Sequence, residues 1–219
     1  MKYVVSMLYK RRFTLFLVSF LLMLFGDIFV SPVWYTETQT VLILQNMLVS
    51  LLLFQQSSKL KKITIISLIV LAIASRISAL INPDISPYFF LSAYLLYFFI
   101  VSYQLFRDLL FQKELGIETL SAAFSGFILI GTFSSLIFIS MGSSGAFRGP
   151  DGPISNSDYL YFSFVTLLTI GYGDIVPVTE ISKKAIMLFG LIGHFYTVFV
   201  VGIVIGKFLK DQQNVQLKE

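Results

Sequence analysis

The stretch TLLTIGYGD, residues 166–174, has the composition best suited to chemistry in this sequence. Two glycines bracket a tyrosine and a carboxylate follows, so the run breaks a helix and frees main-chain carbonyls. Apolar segments of helical length surround it, and irregular backbone at membrane depth is tolerated only where protein buries it or where it lines a water-filled path. Carbonyl oxygens on such a path can replace the hydration shell of a cation. The run therefore predicts cation coordination by the main chain.

Each residue of the run has a role in this interpretation. Gly171 and Gly173 permit backbone conformations in which successive carbonyls point the same way, which a Cβ would resist. Tyr172 points away from the path and supports the loop against surrounding aromatic rings. Thr169 adds a hydroxyl at the inner end, and Asp174 supplies negative charge at the outer mouth.

The run and its context resemble the filter of tetrameric potassium channels, which reads T-[VI]-G-Y-G-D. Residues 169–174 match this pattern completely, a short aromatic-rich helix precedes them, and a spanning segment follows. The resemblance covers residues 119–207, and it implies four identical chains around one axis and selection of K⁺ over Na⁺. Gly173 completes the filter. The ion contacts implied are the Thr169 hydroxyl and the main-chain carbonyls of Thr169, Ile170, Gly171 and Tyr172.

Three positions depart from the family pattern. Tyr161 and Phe162 stand where the family often has an aromatic pair, commonly Trp-Trp, that supports the filter tyrosine. Val165 stands where some members carry a glutamate that couples to the filter aspartate. Leu168 replaces a second threonine that often precedes the filter, so we expect a single threonine ring at its inner end.

The composition is that of an integral membrane protein. Of the 219 residues, 56% are hydrophobic and 13% are charged, whereas about a quarter of the residues are charged in a soluble domain. We expect an all-α fold that interacts with the lipid bilayer and has no nucleic-acid partner. A re-entrant pore helix, capped within Asn156-Ser157-Asp158, precedes the filter between the fifth and sixth of six spanning helices. The predicted spans are residues 13–30, 38–56, 63–81, 88–106, 119–140 and 183–207.

The distribution of charge predicts the orientation. If the six helices alternate, twelve Lys and Arg residues fall on one side and three on the other, so the positive-inside rule places both termini in the cytoplasm, at the plasma (inner) membrane. Seven acidic residues then lie at the outer face, where they concentrate cations. No small-x-small cleavage site follows the first apolar segment, so we interpret it as a retained helix and not as a signal sequence.

The chain is expected to divide into two domains. Residues 1–112 would form four helices, and residues 113–219 would form the pore domain with a short tail, too short for a regulatory cytoplasmic domain. Voltage-gated channels share this plan, but their fourth helix carries arginine at every third residue. No basic residue lies between Tyr88 and Phe106, and Arg107 lies only at the inner end. Steep voltage gating is therefore not expected.

Two residues of the last predicted helix are candidates for gating. Gly193 matches, by its spacing from the filter, the glycine at which the family bends this helix, although small residues also permit close helix packing. His194, the single histidine, would face the cavity below the filter, where four imidazoles would form a proton-sensitive ring. A hydrogen-bonded histidine between helices is the alternative. Close packing is the favoured role of three other glycines: Gly190, Gly202 and Gly206.

Arg76 is the one charge well inside an early predicted helix. Charges within a membrane are costly and are usually paired or functional. The depth of Arg76, toward the outer end of the third segment, favours a structural ion pair with Asp27, Glu37 or Asp84. A weak voltage-sensing or lipid-sensing role is the alternative.

These patterns predict a homotetrameric channel that conducts K⁺ passively and needs no cofactor besides the permeant ion. The sequence contains no cysteine and no metal-ligand cluster, phosphate-binding loop or nucleophile–base pair, so we do not expect an enzyme. One alternative is a non-conducting or modulatory membrane subunit, which an intact TIGYGD disfavours. The other is a K⁺-translocating subunit of a transporter, which would need several helix–loop–helix repeats where this chain has one.

Overall fold

The computed structural model describes residues 7–30, 35–54, 59, 63, 66–67, 86–111, 116–142, 144–150 and 152–216. Helices dominate these ranges. The main ones are α1 (Arg12–Phe25), α2 (Tyr35–Ser50), α3 (Ser86–Phe111), α4 (Ile117–Gly142), α5 (Asn156–Leu167) and α6 (Glu180–Gln216). Short 3-10 helices follow α1 and α2, at Gly26–Phe29 and Leu51–Phe54. Two short strands, β1 (Phe147–Arg148) and β2 (Val176–Pro177), pair in antiparallel orientation.

Two helices in the described ranges are long and apolar enough to cross a membrane, Ile117–Gly142 and Glu180–Ile203. Two shorter apolar stretches, Arg12–Phe25 and Val41–Phe54, overlap the first and second predicted spans. The fourth predicted span lies within α3, and most of the third, residues 63–81, lies outside the described residues. The mostly helical architecture is as expected, and the number of crossings stays a prediction.

The chain forms two compact units, one of residues 1–74 with 96–126 and the other of residues 75–95 with 127–219. In the first unit α1 packs against α2. Phe13, Phe16 and Phe20 are buried at helical spacing and form the buried face of α1. The boundary at residue 112 that the sequence suggests stays a prediction.

Hydrogen bonds between polar side chains connect three helices inside the first unit. Asn46 of α2 donates from Nδ2 to Ser19 Oγ of α1 at 3.1 Å, and Tyr97 of α3 donates to Asn46 Oδ1 at 3.4 Å. All three side chains are buried, where a polar group without a partner would be costly. These bonds therefore favour one relative register of α1, α2 and α3.

The core of the second unit is aromatic and lies around α5. Phe138 of α4 is almost fully buried, and its ring contacts those of Phe147, Phe162 and Phe189 at centroid distances of 5.5, 5.6 and 5.7 Å. These rings come from four separate segments, so the cluster holds α4, β1, α5 and α6 together.

The start of α5 differs from the sequence prediction. The N-cap is Ser155 and not a residue of Asn156-Ser157-Asp158, because the Ser155 side chain accepts a hydrogen bond from the Asp158 N–H. The Asp158 carboxylate in turn accepts from the Ser155 N–H at 2.8 Å, which completes a capping box. Asp158 therefore takes part in capping as the third helical residue, and the prediction was wrong by one position.

The predicted ion pair of Arg76 is not described by the structure. Arg76 and Asp84 lie outside the described residues, as do the side chains of Asp27 and Glu37. The pairing therefore stays a prediction.

Candidate ion-binding site

The filter run has a backbone of alternating handedness. Thr169, Gly171 and Gly173 have positive φ angles of 58°, 60° and 79°, whereas Ile170 and Tyr172 between them do not. Alternation of this kind turns successive peptide groups toward one side of the chain, which produces a concave set of like-oriented main-chain groups. This is the arrangement that coordination by consecutive carbonyls requires.

Thr169 is the one described residue other than glycine with a positive φ. A β-branched residue in this region is a clear conformational outlier. Such a conformation costs on the order of 1–3 kcal/mol, persists only where the surroundings enforce it, and is typical of ligand-binding positions. Thr169 is thus held in an unfavourable backbone conformation at the inner end of the run, the position that the sequence predicts to contact an ion.

The main chain of Val165 anchors the inner end of the filter. Its carbonyl accepts the N–H groups of Ile170 at 2.9 Å and Gly171 at 3.3 Å, and its side chain is buried. The filter thus begins at the carboxyl end of α5, where the helix dipole carries about half a negative elementary charge and stabilises cations. Val165 supports the filter through its backbone, although it lacks a side-chain carboxylate.

Two serines attach α5 to α4 on the side away from the filter. Ser163 Oγ donates to the Gly131 carbonyl at 2.7 Å and lies in short hydrogen-bonding contact with Ser134 Oγ. Both serines are fully buried. A Cβ on Gly131 would lie 2.6 Å from the Phe164 ring, so the close approach of α4 to α5 depends on a glycine at this position.

Tyr161 and Asp174 lie together at the outer end of the site. The hydrogen bond from the Tyr161 hydroxyl to the Asp174 carboxylate raises the pKa of Tyr161 from its ordinary value of 10.0, and desolvation and the negative charge of Asp174 act in the same direction. Tyr161 therefore stays neutral over the physiological range and donates to the carboxylate.

This contact predicts an alkaline sensitivity. Because the pKa of Tyr161 is higher in the folded state than in the unfolded chain, its stabilising effect is complete below a pH of about 10 and is lost as the pH rises through the raised pKa. We expect Tyr161→Phe to reduce the fall in unfolding midpoint that the wild type shows above this pH. Tyr103→Phe, which removes an exposed hydroxyl of α3, serves as the control. An unchanged alkaline profile in Tyr161→Phe would contradict the assignment.

Phe162 packs into the aromatic core of the second unit. It is buried, and its ring lies 5.6 Å from Phe138 and 5.7 Å from Phe147. The two residues predicted to support the filter tyrosine thus differ in environment, since Tyr161 lies beside Asp174 and Phe162 supports the pore helix. Within one chain the Tyr172 ring stays 69% exposed.

A cavity of about 290 Å³ lies between the filter and α5. Its lining includes Phe162, Val165, Tyr172, Asp174 and Ile186. All filter residues from Thr169 to Asp174 are exposed in the single chain.

The inner helix α6 contacts the end of the pore helix at Gly193. A Cβ on Gly193 would collide with the Leu167 side chain, whereas a Cβ on Gly190, Gly202 or Gly206 would meet no atom of this chain within 4 Å. The Thr197 hydroxyl donates to the Gly193 carbonyl at 3.0 Å, a bond of a type that often bends helices. His194, the next residue along α6, is exposed in the single chain.

Sequence reasoning missed the contribution of the outer loop. Residues 146–148 pair with the chain that leaves the filter, and Ala146 and Phe147 are buried. The one available signal was an apolar pair, Ala146-Phe147, within an otherwise Gly-, Ser- and Pro-rich loop.

Comparisons with known proteins relate part of the chain to ion channels. Residues 123–210 match the family described as "Ion channel", a range that contains α5, the filter and most of α4 and α6. The chain is also 47% identical over 57 residues to the two pore potassium channel c of Oryza sativa subsp. japonica. The matched segment is 26% of this chain and 12% of the rice protein, so the chain matches a small part of that relative's length. No solved structure matches the chain.

The matched family and relative are channels and not enzymes. The ion channel domain and the two long apolar helices are those of a membrane protein. Residues 123–210 are therefore similar to ion channels, and a segment of 57 residues is similar to part of a two pore potassium channel.

Proposed function

We propose that four copies of this chain form a potassium-selective channel that conducts K⁺ passively across the plasma membrane. The observation that supports this most directly is the alternation of positive and non-positive φ over Thr169–Gly173 in the sequence TIGYG. The ion would contact the carbonyls of Thr169, Ile170, Gly171 and Tyr172 and the Thr169 hydroxyl, in place of its hydration shell. Asp174 would add negative charge at the outer mouth.

The exposure of the filter supports assembly around a common axis. Ile170 and Tyr172 are 49% and 69% exposed in one chain, although they lie in a segment at membrane depth where free backbone must be buried or face water. On α6 only 11% of the most apolar stretch is buried. Neighbouring copies would cover part of these surfaces, and water in the central path would hydrate the remaining exposed groups of the filter. We propose six crossings, with both termini in the cytoplasm.

Gating in this proposal does not depend on a charged fourth helix. α3 has no basic residue from Tyr88 to Phe106, so it offers little charge for a membrane potential to act on. Gly193 would serve as the hinge of α6, since its carbonyl accepts a side-chain hydrogen bond from Thr197. His194 would line the inner cavity of the assembly.

Flux through purified protein in liposomes tests the proposal. With a K⁺ gradient across the membrane, we expect K⁺ efflux from the liposomes. With an equal Na⁺ gradient in its place we expect no comparable Na⁺ efflux, because carbonyl coordination matches the larger ion. The mass of the detergent-solubilised particle should correspond to four chains. Equal K⁺ and Na⁺ flux would contradict a selective filter, and a folded tetramer without flux would support a modulatory subunit instead.

A further inference from the structure

The outer loop carries a short segment, residues 146–148, that we call the outer strap. Its strand β1 pairs with β2 in the register Phe147 to Pro177 and Arg148 to Val176. β2 begins two residues after Asp174, so the strap is bonded to the chain directly as it leaves the filter.

The carbonyl of Ala146 extends this pairing toward α6. It accepts the N–H of Val178 at 2.9 Å and the hydroxyl of Ser182 at 2.8 Å. Ala146 and Ser182 are buried, at 1% and 0% exposure, and hydrogen bonds at such sites are costly to leave unmade. The strap therefore fixes both the filter exit and the first turn of α6.

Phe147 inserts the strap into the aromatic core. Its ring lies 5.5 Å from Phe138, 5.5 Å from Tyr159 and 5.7 Å from Phe162. Ile175, which directly follows Asp174, is buried in the same cluster. The same loop segment is thus bonded to the filter exit through its backbone and packed on the pore helix through its side chain.

We propose that the outer strap supports the conducting conformation of the filter, with Phe147 and Ser182 as positioning residues. This rests on the proposed function. The chain from Gly171 to Asp174 is exposed, and within the chain it is held at its inner end by the Val165 carbonyl and at its outer end by the strap. Loosening the outer support frees residues 175–178 to move relative to the pore helix, and the filter carbonyls lose their common orientation.

Weakening the strap should make the conducting state depend on the external K⁺ concentration. An ion that binds the conducting filter stabilises that conformation over any that does not bind it, by an amount that grows with ion concentration. A filter with a weakened strap should therefore fail at low external K⁺ and recover at high external K⁺. A defect in folding alone would change the number of channels and leave this dependence unaltered.

The test compares Phe147→Leu, Phe147→Ala and Ser182→Ala with wild type, as assembled channels in planar bilayers. At external K⁺ well below the Kd of the filter, we expect Phe147→Ala to reduce the conducting fraction on the order of tenfold, since it removes three aromatic contacts. For Ser182→Ala we expect about a fivefold reduction, since it removes the buried bond to the Ala146 carbonyl and the hydrogen bonds that the same hydroxyl forms with Thr179. High external K⁺ should return both variants to within about twofold of wild type by the same linkage.

Ser144→Ala is the matched control, because Ser144 lies in the same loop, is exposed and, among the described residues, bonds only to the Met141 carbonyl of its own turn. Phe147→Leu replaces Phe147→Ala if the alanine variant does not assemble. Strap variants with the K⁺ dependence of wild type would overturn the role of the strap and leave the proposed function standing. A wild-type chain without K⁺-selective current would overturn both.

Discussion

Gly171→Ala and Gly173→Ala are each expected to abolish K⁺-selective current while the protein still assembles. The two glycines have φ angles of 60° and 79°, a region that an L-residue with a Cβ enters at a cost of about 1–2 kcal/mol. A Cβ at either position would meet no atom of this chain within 4 Å, so the cost is conformational and not steric. The alanine relieves it by rotating the peptide group, which turns a carbonyl away from the path.

The proposed symmetry multiplies this effect. Every filter would contain the substitution four times, so we expect a loss of selective current of at least about 100-fold. Gly152→Ala is the control, because Gly152 also has a positive φ, of 109°, and an open environment, but lies in the outer loop. Single-channel recording in mixed K⁺ and Na⁺ measures both conductance and selectivity. If either filter variant retained K⁺-selective current, the filter interpretation would be wrong.

Glu118→Ala is expected to lower the stability of the folded chain by about 1–3 kcal/mol, because the loss of a charged acceptor leaves partly buried donors without a partner. The Glu118 carboxylate, in the first turn of α4, accepts the N–H groups of Phe13 at 3.0 Å and Thr14 at 3.4 Å. It also accepts a short hydrogen bond from the Thr14 hydroxyl. The N-cap residue of α1, Arg11, makes no side-chain cap of its own, so Glu118 supplies the cap and complements the helix dipole.

A second glutamate allows a matched comparison. Glu180 also lies in the first turn of a helix, but it is exposed and forms an ion pair with Lys183 at 3.0 Å. Exposed pairs contribute about 0–1 kcal/mol, so Glu180→Ala should change the unfolding midpoint in detergent much less than Glu118→Ala. A double-mutant cycle with Thr14→Val isolates the bond between the two side chains. Equal midpoints for the two glutamate variants would contradict the capping role.

The positive φ angles of the two glycines in the run could be predicted from sequence because they depend on local residues. Gly171 and Gly173 are the glycines that a left-handed backbone requires, and the predicted cap range of residues 156–158 begins one position after the observed N-cap, Ser155. The positive φ of Thr169 could not be predicted, since a β-branched residue disfavours it and the surrounding structure imposes it.

Contacts between distant residues were beyond the reach of sequence patterns. Glu118 caps a helix that begins more than 100 residues earlier in the chain, and a lone glutamate in the first turn of its own helix already has a local explanation. The strap pairs two strands of two residues each, which is too short for any alternation of apolar and polar residues to appear. Both features follow from packing that only the folded chain brings about.

At both ends of the filter, the atoms that accept the supporting hydrogen bonds belong to the main chain. The carbonyl of Val165 accepts hydrogen bonds from the start of the filter, and the carbonyl of Ala146 accepts one from the segment beyond its exit. Every amino acid carries these atoms, so substitutions at both positions can accumulate over evolution without loss of the bonds, provided that size and burial are conserved. Divergent descendants of this chain would then keep the scaffold of the pore while their outer loops lost recognisable similarity.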